Sequence, residues 1–363
     1  MTGLAAATLE IDLGGIVANW RALCAAHPSG KVAAVVKADA YGLGALAVVP
    51  ALHAAGCRHF FTALPAEALA ISDHAPGALI GVLNGLLPGA AADYAAGGLV
   101  PALGSLAEID AWAAEARRLG RKLPALLHID TGMSRLGLSP AEVDALAADH
   151  GRLAGVDLLY VMTHFVAAEE PHNPLNDAQK ARFDAARARL PAAPTSLANS
   201  SGIFLGAAFA SDLARPGAAL YGVNPTPGRP NPMRVPLRLT ATVLAVREIG
   251  LGAGVGYNAT WTARRPSRIA TVAVGYADGF LRSQSNRGAA VFQDRVLPLV
   301  GRVSMDLTTF DATEMPELCA GDAVELIGPG RPPDAVAEAA GTNGYEILTS
   351  LGGRFRRVYL PAS

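Results

Sequence analysis

Charge is scarce in this chain and nearly balanced. Only 17% of its 363 residues are Asp, Glu, Lys or Arg, and they sum to −1. A surface without a net positive field lacks the footprint for nucleic acid or an anionic membrane, so a small-molecule substrate is expected. Cysteine is rare as well. Cys24, Cys57 and Cys319 are an odd, scattered set without CxxC spacing, which excludes a disulfide framework and reads as reduced packing residues of a cytoplasmic protein. Glu10 and Asp12 come early, and the apolar region 78–100 is broken by Gly, Pro, Asn and Asp, so neither a signal peptide nor a transmembrane helix is expected. His27, His53, His59, His74, His150 and His172 show no ligand spacing with carboxylates or cysteines, and no metal site is expected. Nor does the glycine-rich GLGAGVGY open a helix as a dinucleotide fingerprint would.

What is abundant is apolar: 51% of the residues, in a chain long enough for about two domains. Strand-like runs at 32–37, 59–62, 78–82, 99–102, 125–130, 155–163, 195–198 and 212–215 alternate with alanine-rich stretches such as 105–119 and 174–190, which carry helical periodicity. Eight such units fit a (β/α)₈ TIM-like barrel better than an open sheet, and chemistry is then expected at the carboxyl ends of the strands. The proline-rich NPTPGRPNPMRVP reads as a linker near residue 230. Beyond it, β-branched alternation and turn signals predict a mainly antiparallel β-domain with one helical piece at 333–340. The expected units are therefore 1–230 and 231–363.

Polar residues fall where a barrel wants them. In AVVKADAYGLGA, Lys37 ends the first buried strand, as a nucleophile, an imine-forming amine, or a strand-end lysine snorkelling to water. Arg135 lies past the fifth strand in HIDTGMSRLG, His164 ends the sixth in MTHF, Asn199 and Ser200 follow the seventh, and Arg215 and Gly217 follow the eighth. Five strand ends thus direct polar groups to one rim.

Nearly end to end, the chain resembles the alanine racemases, pyridoxal 5'-phosphate (PLP) enzymes of the barrel type. The resemblance rests on VVKADAYGLGA, HIDTGMSRLG, THF, RPGAALYG, VGYNATWTA, VGYADG and GRVSMD, in that order. It implies a head-to-tail homodimer whose sites lie between one subunit's barrel and the other's β-domain. It implies further that Lys37 forms the imine with PLP and acts as one base, and that Tyr257 of the partner subunit is the second. An ordinary tyrosine ionises near a pKa of about 10, so its phenolate needs positive or hydrogen-bonding neighbours, for which His164 and Arg215 are the candidates. The resemblance sets Arg215 against the pyridine nitrogen, where an arginine gives up no proton. It gives the phosphate to Tyr41, Ser200 and the amides near Gly217 and Ala218, with Asn199 in the same cofactor-binding set, and the substrate carboxylate to Arg135 and Met305, with Asp306 organising that loop.

Plainer readings stand beside these. Tyr257 could cap a β-turn, Met305 could be core, His128 reads as a packed, hydrogen-bonded core histidine, and Asp278 is most simply a turn former with Gly279. Two departures from the family are visible. Relatives often carry a carbamylated lysine where His128 stands, so Arg135 needs another brace, such as an anion or a side chain. Relatives also commonly have a tyrosine where Gly353 stands, so a looser entrance, or refilling by Arg354 or Phe355, is expected. A serine or broader-specificity racemase, a non-catalytic PLP carrier and a decarboxylase are the competing functions; Tyr257 and GRVSMD argue against the carrier, and the short β-domain against the decarboxylase.

Overall fold

Between residues 31 and 214 the short apolar runs become parallel strands, and the computed structural model, which describes residues 5–362, closes them into a barrel. After β1 (Ala7–Asp12) the strands are β2 (Lys31–Val32), β3 (Ala34–Val35), β4 (His59–Thr62), β5 (Leu79–Val82), β6 (Val100–Leu103), β7 (Leu123–His128), β8 (Val156–Met162), β9 (Thr195–Ser196) and β10 (Leu213–Ala214). β3 to β9 form one parallel sheet in sequence order. β2 and β3 are one run interrupted at Ala33, and β2 pairs in parallel with β10. Arg215 N–H then donates to Ala198 C=O at 2.8 Å, so β10 also meets β9 and the ring is complete. All eight expected barrel strands are present.

Alternation along each strand sorts its side chains between two cores. Ala33, Val35, Phe61, Leu126 and Met162 fill the barrel interior, whereas Ala34, Val36, Phe60 and Leu127 pack outward against helices. Local chemistry sets the helix ends. Leu106–Leu119 starts where Ser105 Oγ accepts from Glu108 N–H at 3.2 Å and stops at Gly120, whose φ is 64°. It buries Ile109, Trp112 and Ala116. Pro140–Ala148 opens with a reciprocal Ser139–Glu142 box, and Pro174–Arg187 with Asn173 capping and Pro174 in the first turn.

The second sheet holds β11 (Leu237–Ile249), β14 (Ser267–Val272), β15 (Ala289–Phe292), β16 (Arg295–Pro298), β17 (Thr308–Asp311), β18 (Ala323–Ile327) and β19 (Arg356–Leu360), with β12 (Gly254–Val255) and β13 (Trp261–Thr262) forming a separate hairpin. It is antiparallel except where β1 joins it, antiparallel to β11 and parallel to β19. The expected boundary at 230 is therefore crossed. Ala7–Asp12, at the start of the chain, belongs to the sheet built by its end. The expected helix at 333–340 forms as Pro333–Ala340, but a second one, Gly344–Thr349, follows it. No helix among the described residues is long and apolar enough to cross a membrane.

Candidate active site

The first barrel strand ends at Val35, two residues before Lys37, and not at Lys37 as its apolar run suggests. Lys37–Tyr41 is a short helical segment in which Ala38, Asp39, Ala40 and Tyr41 have φ of 52°, 54°, 54° and 55°. Left-handed residues other than glycine cost about 1 kcal/mol or more each, so external bonds must hold them. Glu67 accepts from Ala38 N–H at 2.6 Å, and Asp39 from Ala45 N–H at 2.7 Å. The reversed twist brings Lys37 and Tyr41 into one cavity of about 290 Å³ at the carboxyl ends of the barrel strands.

His164, Asn199, Ser200, Arg215, Gly217 and Ala218 line the same cavity. At one place hydroxyls and backbone amides converge. Ser200 Oγ accepts from the N–H groups of Gly217 and Ala219 at 3.1 and 3.2 Å, and a Cβ at position 217 would run into the Tyr41 hydroxyl. Glycine is required there because hydroxyl and backbone approach so closely. Asn199 acts on the local backbone: its Oδ1 accepts from Gly202 N–H at 2.8 Å. Arg215 is buried, donating to Ser196 Oγ and to Thr163 C=O at 2.7 Å. Burial lowers its pKa to about 10, which still leaves it charged at neutral pH.

The cavity disfavours further positive charge. Burial, helped by Arg135, lowers the pKa of Lys37, against an opposing pull from Glu67. Burial and then Arg215 take His164 to about 3 and His128 to about 4, with Asp130 opposing at His128. Both imidazoles are neutral at pH 7. His128 is buried as expected, 8% exposed, but it is not hydrogen-bonded as expected: its Nδ1 has no partner among the described residues, because the groups nearest it are charged arginines and apolar neighbours of the barrel.

Arg135 does not line this cavity. It faces a neighbouring one of about 190 Å³ with Asn84 and Glu108, and its side chain makes no hydrogen bond or ion pair with any described residue. Its loop is braced through the backbone, where Asp130 Oδ1 accepts from Gly132, Met133 and Ser134 N–H at 2.9, 2.9 and 3.1 Å. Tyr257, Met305 and Asp306 also lie outside the cavity. Tyr257 stands on the 3₁₀ turn that joins β12 to β13 at the tip of their hairpin, 70% exposed, and Met305 is 54% exposed, not core. Their loops are laced together. Asn286 donates to Thr260 Oγ1 at 3.2 Å and accepts from Gly301 N–H at 2.7 Å, while Tyr276 and Ala277 N–H donate to the carbonyls of Ser304 and Met305, each at 3.0 Å.

Asp278 is more than a turn former. It does close the turn that Gly279 caps, but it is 4% exposed, accepts from Gly275 N–H at 2.9 Å and pairs with Arg354 Nε at 2.7 Å. Arg354 also reaches Asp306 at 2.8 Å, so one guanidinium ties the two loops. That occupies the side chain expected to refill the space at Gly353, where an added Cβ meets nothing within 4 Å; Phe355 is buried in the core. Neither refills the cavity. The side chain that the C-terminal unit does bring to the cavity is Tyr345, from its second helix, hydrogen-bonded to Glu169. Sequence reading missed both. Glu169 follows MTHF closely, whereas nothing in a six-residue helix distinguishes Tyr345. Gln179 was also missed: it donates to Thr131 Oγ1 and His164 C=O, each at 3.0 Å, and accepts from Val166 N–H, fixing the turn that carries His164.

Residues 11–225 match the family described as "Alanine racemase, N-terminal domain" and residues 236–359 "Alanine racemase, C-terminal domain". Among curated proteins the chain is 57% identical over 351 residues to an alanine racemase of Acidiphilium cryptum, covering 97% of this chain and 98% of that one. It is 50% identical over 359 residues to a catabolic alanine racemase of Mesorhizobium japonicum, covering 98% and 94%. Among solved structures it resembles alanine racemase from Bartonella henselae with covalently bound pyridoxal phosphate, at a TM-score of 0.95 and 42% identity over 98% of this chain and 100% of that one.

Proposed function

The chain belongs to the alanine racemase family, and from that premise we propose that it interconverts L- and D-alanine with two bases, Lys37 and Tyr257 of the partner subunit. It is a PLP-dependent isomerase. The observation that carries the reading is one cavity holding a half-buried lysine with a lowered pKa, a buried arginine and an anion cradle.

These residues fit the cofactor. The Ser200 hydroxyl, the Tyr41 hydroxyl and the backbone at Gly217 and Ala218 would hold its phosphate, at a place where a side chain at 217 would displace the Tyr41 hydroxyl. When bound, PLP makes the substrate's Cα–H acidic by withdrawing electrons through its conjugated ring. The remaining steps belong to the chain. A lysine whose charged form is disfavoured by burial gives up its proton more readily than an ordinary one, so Lys37 takes the Cα proton on one face of the substrate. Tyr257 gives or takes a proton on the other face. Arg215 stays charged and keeps its own protons, because Ser196 and Thr163 hold it and its pKa remains far above neutrality, so it would face the cofactor as a fixed positive charge. Arg135 and the amide of Met305 would orient the substrate carboxylate, with Arg354 and Asp306 fixing the Met305 loop.

Exposure of Tyr257 and Met305 outside their own chain's cavity supports a head-to-tail homodimer in which each copy completes the other's site. Two measurements test the function. Purified protein given PLP converts either enantiomer of alanine to the racemate, followed by chiral chromatography. After borohydride reduction, a phosphopyridoxyl group is found on the Lys37 peptide; a label on another lysine refutes the assignment.

A further inference from the structure

One hydrogen bond at the cavity wall has no part in moving protons. Tyr345 Oη donates to Glu169 Oε1 at 2.6 Å, joining the Gly344–Thr349 helix to the barrel loop that follows β8. Both residues line the cavity that holds Lys37, and both also line a second cavity of about 390 Å³ with Asn224, Asp334, Glu338 and Thr342. The bonded pair is a wall common to the two.

That wall stands at the anion cradle. The Tyr345 ring meets Tyr41 edge-on, with centroids 6.5 Å apart and planes at 80°, and Tyr41 lies against Tyr221 at 4.9 Å. Tyr221 is fully buried and tied by its hydroxyl to Val35 C=O at 3.0 Å, so one side of Tyr41 is fixed by the barrel. The other side depends on Tyr345. The partner of Tyr345 is an exposed carboxylate that lines the same cavity as the cradle, and a negative charge there opposes a bound phosphate.

We propose that the Tyr345–Glu169 hydrogen bond is a latch governing cofactor retention. It holds Tyr41 against the phosphate site and keeps the Glu169 carboxylate turned away from it. Tyr345 is thus a positioning residue. The inference rests on the reading that the cradle takes the phosphate of PLP.

Holoenzyme variants test it through the rate at which PLP leaves, followed by trapping the released cofactor and reading its absorbance. Tyr345→Phe keeps the ring on Tyr41 but frees the carboxylate, and release accelerates about threefold to tenfold, more at low salt than at high. Adding Glu169→Gln to Tyr345→Phe removes the freed charge and returns release toward the wild-type rate. Glu169→Gln alone, at an exposed position, releases PLP no faster than wild type. Wild-type release from Tyr345→Phe overturns the latch. So does fast release that the double variant fails to rescue, since a wall acting only by shape has no use for the charge change. Borohydride labelling of the wild type reports separately on the site: a label absent from Lys37 refutes the site reading, whereas a labelled Lys37 with unaltered release rates refutes only the latch.

Discussion

His128 and His164 are neutral because the fold withdraws them from water beside arginines, and that has a cost in acid. Their folded pKa values, about 4 and about 3, lie below the usual 6.5, so between these values the unfolded chain binds more protons than the folded one. Stability therefore falls as pH drops from 6.5, by at most about 1.4 kcal/mol per pH unit for each histidine, and levels off below pH 4 and pH 3 respectively. His128→Gln, which carries no such titration, is expected to flatten the fall in Tm between pH 6.5 and 4 in protein stripped of cofactor; an unaltered slope means that other groups dominate it. Asp278 makes a second case. With Asp278→Asn, Arg354 loses its buried partner and the tie to the Asp306 loop loosens, so Tm falls and KM for alanine rises more than PLP affinity weakens. Equal losses in both would place the loop's role elsewhere. At this scale the sequence was informative wherever chemistry and position coincided, as at Lys37, Ser200 and Arg215, each a polar residue at the end of an apolar run. It was silent on Asp278, because a carboxylate in a YADG turn looks the same whether solvent or an arginine 76 positions away balances it.

The element that most determines the site is the left-handed segment Lys37–Tyr41, which no periodicity announces because no glycine occupies its positive-φ positions. Glu67 holds it: beyond Ala38 N–H, the same carboxylate accepts from Ala63 and Leu64 N–H at 2.9 and 3.0 Å. Three donors on one surface carboxylate make Glu67→Ala destabilising by about 1–3 kcal/mol, measured by urea unfolding. Glu67 also raises the pKa of Lys37 by its charge. Its replacement by glutamine lowers that pKa further, so more of the lysine is neutral at a given acidic pH. The acid limb of kcat, which reports groups of the substrate complex, is then expected to move to lower pH in at least one direction of the reaction, and a shift to higher pH contradicts Lys37 as base. The longer elements were legible for the opposite reason. Leu106–Leu119 and Pro174–Arg187 carry caps and an apolar face over 14 residues each, whereas Gly344–Thr349 has six residues and too little length to show a period.

At the scale of the molecule, the chain's two ends meet in one sheet, through the pairing of β1 with β19, and no local signal at residues 7–12 foretells a partner at 356–360. The C-terminal unit gives Tyr345 to its own chain's cavity but leaves Tyr257 and Met305 exposed. Such side chains are what a second copy would bury, and the two lesions of a shared site can then be separated. Lys37→Ala and Tyr257→Phe homodimers each lack one base at both sites and are inactive. When their subunits exchange freely, half of the dimers are mixed; one site of each mixed dimer carries both lesions and the other carries neither. Activity of the mixture should approach about one quarter of wild type. The measurement is racemisation after unfolding and refolding the two variants together, with mixed dimers verified by differently tagged subunits. Persistent inactivity despite proven exchange would mean that each chain completes its own site, and that the exposure of Tyr257 has another cause.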